Sequence, residues 1–198
     1  MQELPERIVL PIREATISYY PDFLSTIEAN ACFEVLKSKI VWQQEEVRVF
    51  GKIYPQPRLT ALYGNNQNAY TYSGLTLYPK AFTPTLLNLK KKIETLCPNE
   101  FTSCLLNLYR DGKDSNGWHS DDEKELGINP IIASISLGQE RMFHLRHKAK
   151  KDWKYKMPLG NGSLLLMEGE TQHNWQHQIP KTRKTIKERI NLTFRIIP

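Results

Sequence analysis

The stretch "ERINLTFRII", residues 188–197, alternates between polar and apolar side chains from Arg189 to Ile196. In an extended chain Ile190, Leu192, Phe194 and Ile196 fall on one side, and Arg189, Asn191, Thr193 and Arg195 on the other. An outer strand with one wet face has this pattern. So does a strand whose polar face looks into a closed barrel. In that case Arg189 and Arg195 stand roughly 20 Å apart along the strand, and guanidiniums leaning inward can grip the two ends of a short diacid. "LLNLY", residues 105–109, adds a matching surface, because Asn107 and Tyr109 share a face and can donate to the same ligand.

Working outward from this strand, the second half of the chain reads as short strands separated by turn residues. "CLLNLYR", "IIASISL", "RMFHLR", "WKYKM", "SLLLM" and "NWQHQI" precede the final segment, and "EEVRVF" and "RLTALY" lie earlier. Two helices come before most of them. "STIEANACFEVLKSKI" opens with a capping box, Ser25 to Glu28, and carries an apolar stripe at Ala29, Cys32, Phe33, Leu36 and Ile40. The second starts at Thr83-Pro84, a cap followed by a proline in the first turn, with Leu86, Leu89, Ile93 and Leu96 on one side. The order predicts a mainly β, α+β domain: a sandwich or jelly roll with helices packed outside.

Composition narrows the partners. The 198 residues are enough for one domain with a full core, and 40% hydrophobic with 24% charged residues is ordinary for a globular protein. No apolar run is long enough to span a bilayer, so no membrane partner is expected. The opening "MQELPERIVLPIRE" has acidic residues and no apolar core, unlike a signal peptide. Cys32, Cys97 and Cys104 are odd in number and lack CxxC spacing, which fits a reducing compartment and neither a disulfide framework nor a zinc knuckle. The expected compartment is the cytoplasm of a bacterium or the nucleus of a eukaryote. Lys and Arg outnumber Asp and Glu by 27 to 21, and the net charge of +6 favours a polyanionic partner.

Against that basic background, "NGWHSDDEKELG", residues 116–127, packs one imidazole and four carboxylates into twelve residues. A solvated turn is the plain reading. The chemical reading starts from His119 and Asp121, which point to one side of an extended chain and can share a metal. The third ligand has to come from elsewhere. His144 and His147 lie in or just after a basic strand, while His173 and His177 fall together in "GETQHNWQHQIP". Four residues place His173 and His177 on the same side of a strand or a helix, so spacing does not separate them. Two neutral imidazoles and one carboxylate on one face of an octahedron leave three open positions, which suits non-haem Fe(II); Zn(II) suits the same donors.

Taken together, "NLYRDGKDSNGWHSDDEKELGINPIIASISLGQERMFHLRHK", "MEGETQHNWQHQIPK" and "ERINLTFR" resemble the AlkB-type DNA-repair dioxygenases, which depend on Fe(II) and 2-oxoglutarate. The resemblance runs from about Val47 to the C-terminus and joins HxD, a distant His and RxNxTxR in order. It implies a double-stranded β-helix (jelly roll) core and selects His177 as the third ligand. It also implies that Arg189 pairs with the C5 carboxylate of 2-oxoglutarate, while Asn107, Tyr109, Asn191, Thr193 and Arg195 hold the co-substrate and steady the metal. No catalytic residue beyond the metal centre is implied. The domain map that follows is a single domain over 1–198: an N-terminal extension and support helix to about residue 46, nucleotide-recognition hairpins over 47–82, and the catalytic core over 100–198.

The same resemblance supplies the substrate. It implies oxidative removal of methyl groups from 1-methyladenine or 3-methylcytosine in DNA or RNA, with dioxygen as second co-substrate and formaldehyde, succinate and carbon dioxide as products, by an enzyme expected to act as a monomer. "RVFGKIYPQPRLTALYG" resembles the segment that sends an apolar finger into duplex DNA; here the finger is Val49-Phe50-Gly51, followed by Lys52. Phe50 as a core residue is the plain reading of the same position. Arg58, Tyr63, Tyr70 and Tyr72 fall where the family contacts the flipped base, and an aromatic face attracts a cationic methylated base. Asp122 and Glu123 follow the ligand Asp121 and can read the exocyclic amine of the lesion, leaving the remaining acids to solvent. "PRLTALYG", "WHSDDE" and "MEGETQ" resemble instead the branch that prefers single strands. Double-stranded DNA is the first expectation, single-stranded DNA or RNA the second, and a zinc hydrolase or a silent nucleic-acid module the more distant ones.

Overall fold

In a computed structural model, residues 4–49, 52–65, 70–72 and 75–197 are described. The chain opens with β1 (Ile8–Val9) and β2 (Thr16–Tyr20), followed by α1 (Thr26–Lys39). Next come β3 (Glu46–Val49), β4 (Lys52–Pro55), β5 (Leu59–Gly64), β6 (Tyr70–Tyr72), β7 (Leu75–Leu77), β8 (Lys80–Ala81) and α2 (Pro84–Glu94). The second half is almost all strand: β9 (Ser103–Tyr109), β10 (Asn116–His119), β11 (Ile132–Gly138), β12 (Arg141–His147), β13 (Lys154–Leu159) and β14 (Ser163–Glu168). A short helix, α3 (Thr171–Asn174), leads into β15 (Trp175–Ile179), and β16 (Arg189–Arg195) closes the fold.

These strands form two main sheets. The larger runs β1-β2-β14-β11-β16-β9-β5-β8 and the smaller β10-β15-β12-β13, with the hairpins β3-β4 and β6-β7 standing apart. Every inner pairing of the larger sheet is antiparallel, and β16 lies in its middle, paired along its length with both β11 and β9. The N-terminal segment is more than an approach: Thr16–Tyr20 pairs antiparallel with β14 and so belongs to the sheet.

Strand alternation explains the layering. One face of the larger sheet carries Cys104, Leu106 and Leu108, Ala133, Ile135 and Leu137, Leu164 and Leu166, and Ile190, Leu192 and Phe194. Ala29 and Leu36 of α1 and Leu86, Leu89 and Ile93 of α2 cover that face. Both helices start as the sequence demands: Ser25 and Glu28 form the reciprocal capping box, and the Thr83 hydroxyl accepts from the Leu86 amide ahead of Pro84. The other face of the sheet, with Leu105, Tyr109, Ile132, Leu165 and Met167, meets Phe143, Leu145, Met157, Leu159, Trp175 and Ile179 of the smaller sheet. The molecule is therefore helices, large sheet, small sheet, with the site between the sheets.

This settles the reading of the last strand. All seven residues of β16 are buried, so its polar side is no wet outer face. It looks into the space between the sheets.

Candidate metal centre

The cavity between the sheets is lined from the large sheet by Asn107, Tyr109, Ser134, Arg189, Asn191, Thr193 and Arg195, and from the small sheet's side by Asn116, His119, Phe143 and His177. At one end His119, Asp121 and His177 offer one ligand atom each, all within 4.8 Å of one another. His119 ends β10 and His177 sits directly opposite it on β15, their rings 4.2 Å apart at the centroids. Between Asn116 and His119 the pairing shifts register, and this irregularity leaves both side chains lining the cavity. His173 is elsewhere. It is exposed on α3, where its Nε2 accepts from the Asn129 amide at 3.2 Å.

Hydrogen bonds prepare the donors for a cation. The Nδ1 of His119 lies 2.7 Å from the Gly117 carbonyl oxygen, which can only accept, so the proton is on Nδ1 and the lone pair on Nε2. Burial pushes the imidazole of His119 below its ordinary value, against the pull of Asp121. Burial, reinforced by His119, carries His177 down to about 3. Both rings are neutral at pH 7, as metal binding requires. Asp121 is the opposite case: burial alone would raise its carboxyl, but Arg195 and the two histidines hold it at about 2. Arg195 donates from Nη2 to Asp121 Oδ1 at 2.5 Å, with both side chains almost fully buried.

That ion pair corrects the image of two arginines gripping the two ends of one diacid. Arg195 belongs to the metal carboxylate. Arg189, at the other end of β16, is 1% exposed, donates from Nη2 to Ser136 Oγ at 2.8 Å, and stacks on the Tyr109 ring at 5.3 Å. Its Nε and Nη1 are buried with no hydrogen-bond partner among the described residues. Burial, partly offset by the Tyr109 hydroxyl and deepened by the nearby Arg141, brings it down to about 10. A buried guanidinium with unused donors is costly unless an anion completes it. The residues present therefore fit a metal at one end of the cavity and a carboxylate at the other.

The remaining polar residues of the cavity form a lattice. Asn191 donates to Ser134 Oγ and the Ile135 carbonyl and accepts from Thr193 Oγ1. Asn107 Oδ1 accepts from Arg58 Nε at 2.7 Å, so buried Arg58 braces the cavity wall. Arg141, 5.5 Å from the Tyr109 ring, donates to the carbonyls of Asp111, Asp114 and Pro180 and pins the loops around that end. Ser134, Ser136 and Arg141 were not singled out from the sequence. The serines carry the same alternation as β16, between Ala133, Ile135 and Leu137, and that pattern could have shown them.

The substrate-side expectations divide. Tyr63 is corrected outright: it pairs with Cys104 on the helix-covered face and is buried in the core there, because odd positions of β5 face α1 and α2. Asp122 is exposed beside the metal loop and paired with Lys148 at 2.5 Å. Glu123 is half-buried, its Oε2 without a partner among the described residues, and burial, with Asp121 nearby, raises its carboxyl. Lys52 is exposed at the start of β4. Phe50 and Gly51 lie outside the described residues, as do the side chains of Val49, Tyr70 and Tyr72.

Comparison with known proteins agrees with this geometry. The 2OG-Fe(II) oxygenase superfamily pattern matches residues 16–195. Alpha-ketoglutarate-dependent dioxygenase alkB homolog 3 from Bos taurus is 46% identical over 186 residues, 89% of this chain and 64% of that protein. The human protein of the same name is 43% identical, with 94% and 68% covered. Human DNA oxidative demethylase ALKBH2 is 37% identical, with 90% and 72% covered. This chain thus spans about two thirds of the length of the alkB homolog 3 proteins it resembles. The solved structure of OsALKBH1 superposes with a TM-score of 0.66 at 16% identity, covering 96% of this chain and 100% of that one, a likeness of fold. The matched span includes the three clustered ligands and Arg189 alike, and on that basis the chain belongs to the 2OG-Fe(II) oxygenase superfamily.

Proposed function

We propose that this protein is an Fe(II)- and 2-oxoglutarate-dependent enzyme that removes N-methyl groups from nucleic-acid bases, with 1-methyladenine and 3-methylcytosine in duplex DNA as first substrates. One observation carries the reading: a buried guanidinium, Arg189, with two unpartnered donors in the same cavity as a His-Asp-His cluster. His119, Asp121 and His177 would hold the iron, and Arg189, with Ser136 and Tyr109 around it, would take the distal carboxylate of 2-oxoglutarate through a fork that lysine lacks. When bound, iron with 2-oxoglutarate and dioxygen supplies C–H hydroxylation, after which a hydroxymethyl group on nitrogen leaves as formaldehyde.

The chain's own residues do the rest. Arg195 keeps Asp121 ionised and aimed. Leu105, Phe143, Leu159, Met167 and Ile179 line the cavity and exclude water from the reacting groups. Asp122 and Glu123, next to the ligand Asp121, favour a cationic methylated base. The finger Val49-Phe50-Gly51 would hold open a duplex and Lys52 would attract phosphate, as the net charge of +6 favours. A second reading, single-stranded DNA or RNA with the same chemistry, is supported by "PRLTALYG", "WHSDDE" and "MEGETQ".

The test is to load the protein with Fe(II) and 2-oxoglutarate without oxygen, admit air, and follow methylated oligonucleotides by mass spectrometry. Methyl loss with equimolar succinate is expected. His119→Ala, Asp121→Ala and His177→Ala should abolish it, and His173→Ala should not. Methyl loss that ignores 2-oxoglutarate would overturn the reading. The substrate form is tested by the ratio of duplex to single-strand repair: Phe50→Ala should lose stacking worth about 1–3 kcal/mol, mainly on duplex. An unchanged ratio in a stable variant favours single strands.

A further inference from the structure

The short helix α3 stands between β14 and the ligand-bearing strand β15, and each of its four side chains is hydrogen-bonded to a different part of the molecule. Thr171 Oγ1 accepts from the Thr16 amide on β2 at 2.9 Å. Gln172 Oε1 accepts from the Asp121 amide at 2.9 Å. His173 Nε2 accepts from the Asn129 amide, and Asn174 Nδ2 donates to the Glu14 carbonyl at 3.2 Å. Three residues beyond this turn the chain reaches His177.

Gln172 is the member of this set that touches the metal loop. It is 0% exposed, and its orientation is fixed by its partners. The Asp121 amide can only donate, so the carboxamide oxygen faces it. The Met167 thioether can only accept, so Nε2 faces its Sδ at 3.4 Å. Asp121 itself lies beyond the last residue of β10 and outside any strand, so no ladder partner holds its peptide. Gln172 takes the place of that partner. On the next residue of the turn, His173 fixes Asn129, so two consecutive side chains clamp both ends of the 121–129 segment that carries Asp122 and Glu123.

We propose that Gln172 is a positioning residue for the metal centre: its carboxamide holds the Asp121 peptide so that the carboxylate meets the two imidazoles, tying the ligand from the HxD loop to the ligand from β15. The proposal rests on the metal reading above. Groups that orient a metal ligand without touching the metal change affinity by about 10–100-fold when removed. Met at this position keeps the length and apolar body of Gln without the amide. Glu, neutral when buried, restores an acceptor oxygen toward the Asp121 amide.

The experiment measures Co(II) binding by the apo protein, by titration calorimetry and by the visible ligand-field spectrum of the bound ion, alongside thermal unfolding of each apo variant. Gln172→Met should weaken Co(II) binding by about 10–100-fold and alter the spectrum. Gln172→Glu should recover most of both. A Gln172→Met protein with wild-type affinity and spectrum would overturn the proposal, whereas a wild type that binds no Co(II) would overturn the metal reading instead. If Gln172→Met does not fold, the wild-type Asp121 amide decides by its hydrogen exchange: slow exchange supports the bond to Gln172, and exchange as fast as in an open loop removes it.

Discussion

Arg189 and Arg195 occupy the same face of the same strand, both almost fully buried, yet their electrostatic situations are opposite. Arg195 is matched to Asp121 at 2.5 Å and holds that carboxylate at about 2. Arg189 has a serine hydroxyl, an aromatic ring and a second arginine for neighbours, and two donors without partners. One buried cation completes the folded protein; the other leaves the folded protein incomplete. The difference teaches which part of the cavity is structural and which is reserved for a ligand.

Breaking the matched end should have the largest effect. Arg195→Met leaves Asp121 buried without its main counter-charge, and removing one partner of a buried pair costs about 3–5 kcal/mol. Denaturant unfolding of the apo protein should show this loss, and metal binding should weaken with it. A variant as stable as wild type would mean that the Arg195–Asp121 pair does not support the fold.

The unmatched end should respond with the opposite sign. Arg189→Met removes a desolvated charge that nothing in the protein neutralises, so apo stability should hold or rise. What disappears is the response to ligand: at 100-fold over its dissociation constant, 2-oxoglutarate should stabilise wild type by about 2.7 kcal/mol and the variant not at all. Arg189→Lys should fall between, raising the 2-oxoglutarate requirement more than it weakens oligonucleotide binding. If 2-oxoglutarate stabilises Arg189→Met as well as it does wild type, the carboxylate binds elsewhere.

A smaller effect sharpens the contrast near Tyr109, where Arg141 is compensated by carbonyls and by Asp114. Asp114 accepts from the Arg110 amide, Nε and Nη2 within 2.9 Å. Burial would raise its carboxyl, but these bonds, with the charges of Arg110 and Arg141, leave it below the ordinary 3.8. A depressed carboxyl adds stability that is complete above the unfolded value and is lost as pH falls through the folded one, so its contribution should fade below pH 3.8. Asp114→Asn should cost roughly 1 kcal/mol at pH 7 and progressively less as the pH falls below 3.8, by thermal unfolding at pH 7 and at acid pH. An equal cost at both would assign the effect to packing.

Much of this was legible in the chain because strand alternation is a two-sided code. Arg189, Asn191, Thr193 and Arg195 could be placed on one face before any coordinates, and so could Asn107 with Tyr109. The capping signals at Ser25 and Thr83 gave both long helices. What alternation cannot give is which face of an all-buried strand meets the cavity. Tyr63 shows this: its strand was recognised, but Thr60 and Leu62 take the side toward the smaller sheet and Tyr63 packs under the helices. Pairing between distant segments was equally invisible. Nothing near Asp121 announces Arg195, 74 residues away, or Gln172, 51 away. Spacing left His173 and His177 equivalent; the family resemblance chose His177, and the pairing of β10 with β15 sets it opposite His119.

The central place of β16 has a consequence for how the cavity can change. Both of its edges are zipped to neighbours, so a slip by one residue would turn Phe194 toward the metal and bury both guanidiniums against α1 and α2. The strand thus works as a caliper: the gap between its two cationic tips is set by the backbone repeat rather than by side-chain fit. Loosening the core would leave that gap unaltered. Retuning the distance from the metal end to an anion at Arg189 demands new side chains on β16, because the connection over 180–188 is tied down by Arg141 on the Pro180 carbonyl, by the Thr182 amide on Gly112 and by Lys37 on Glu188.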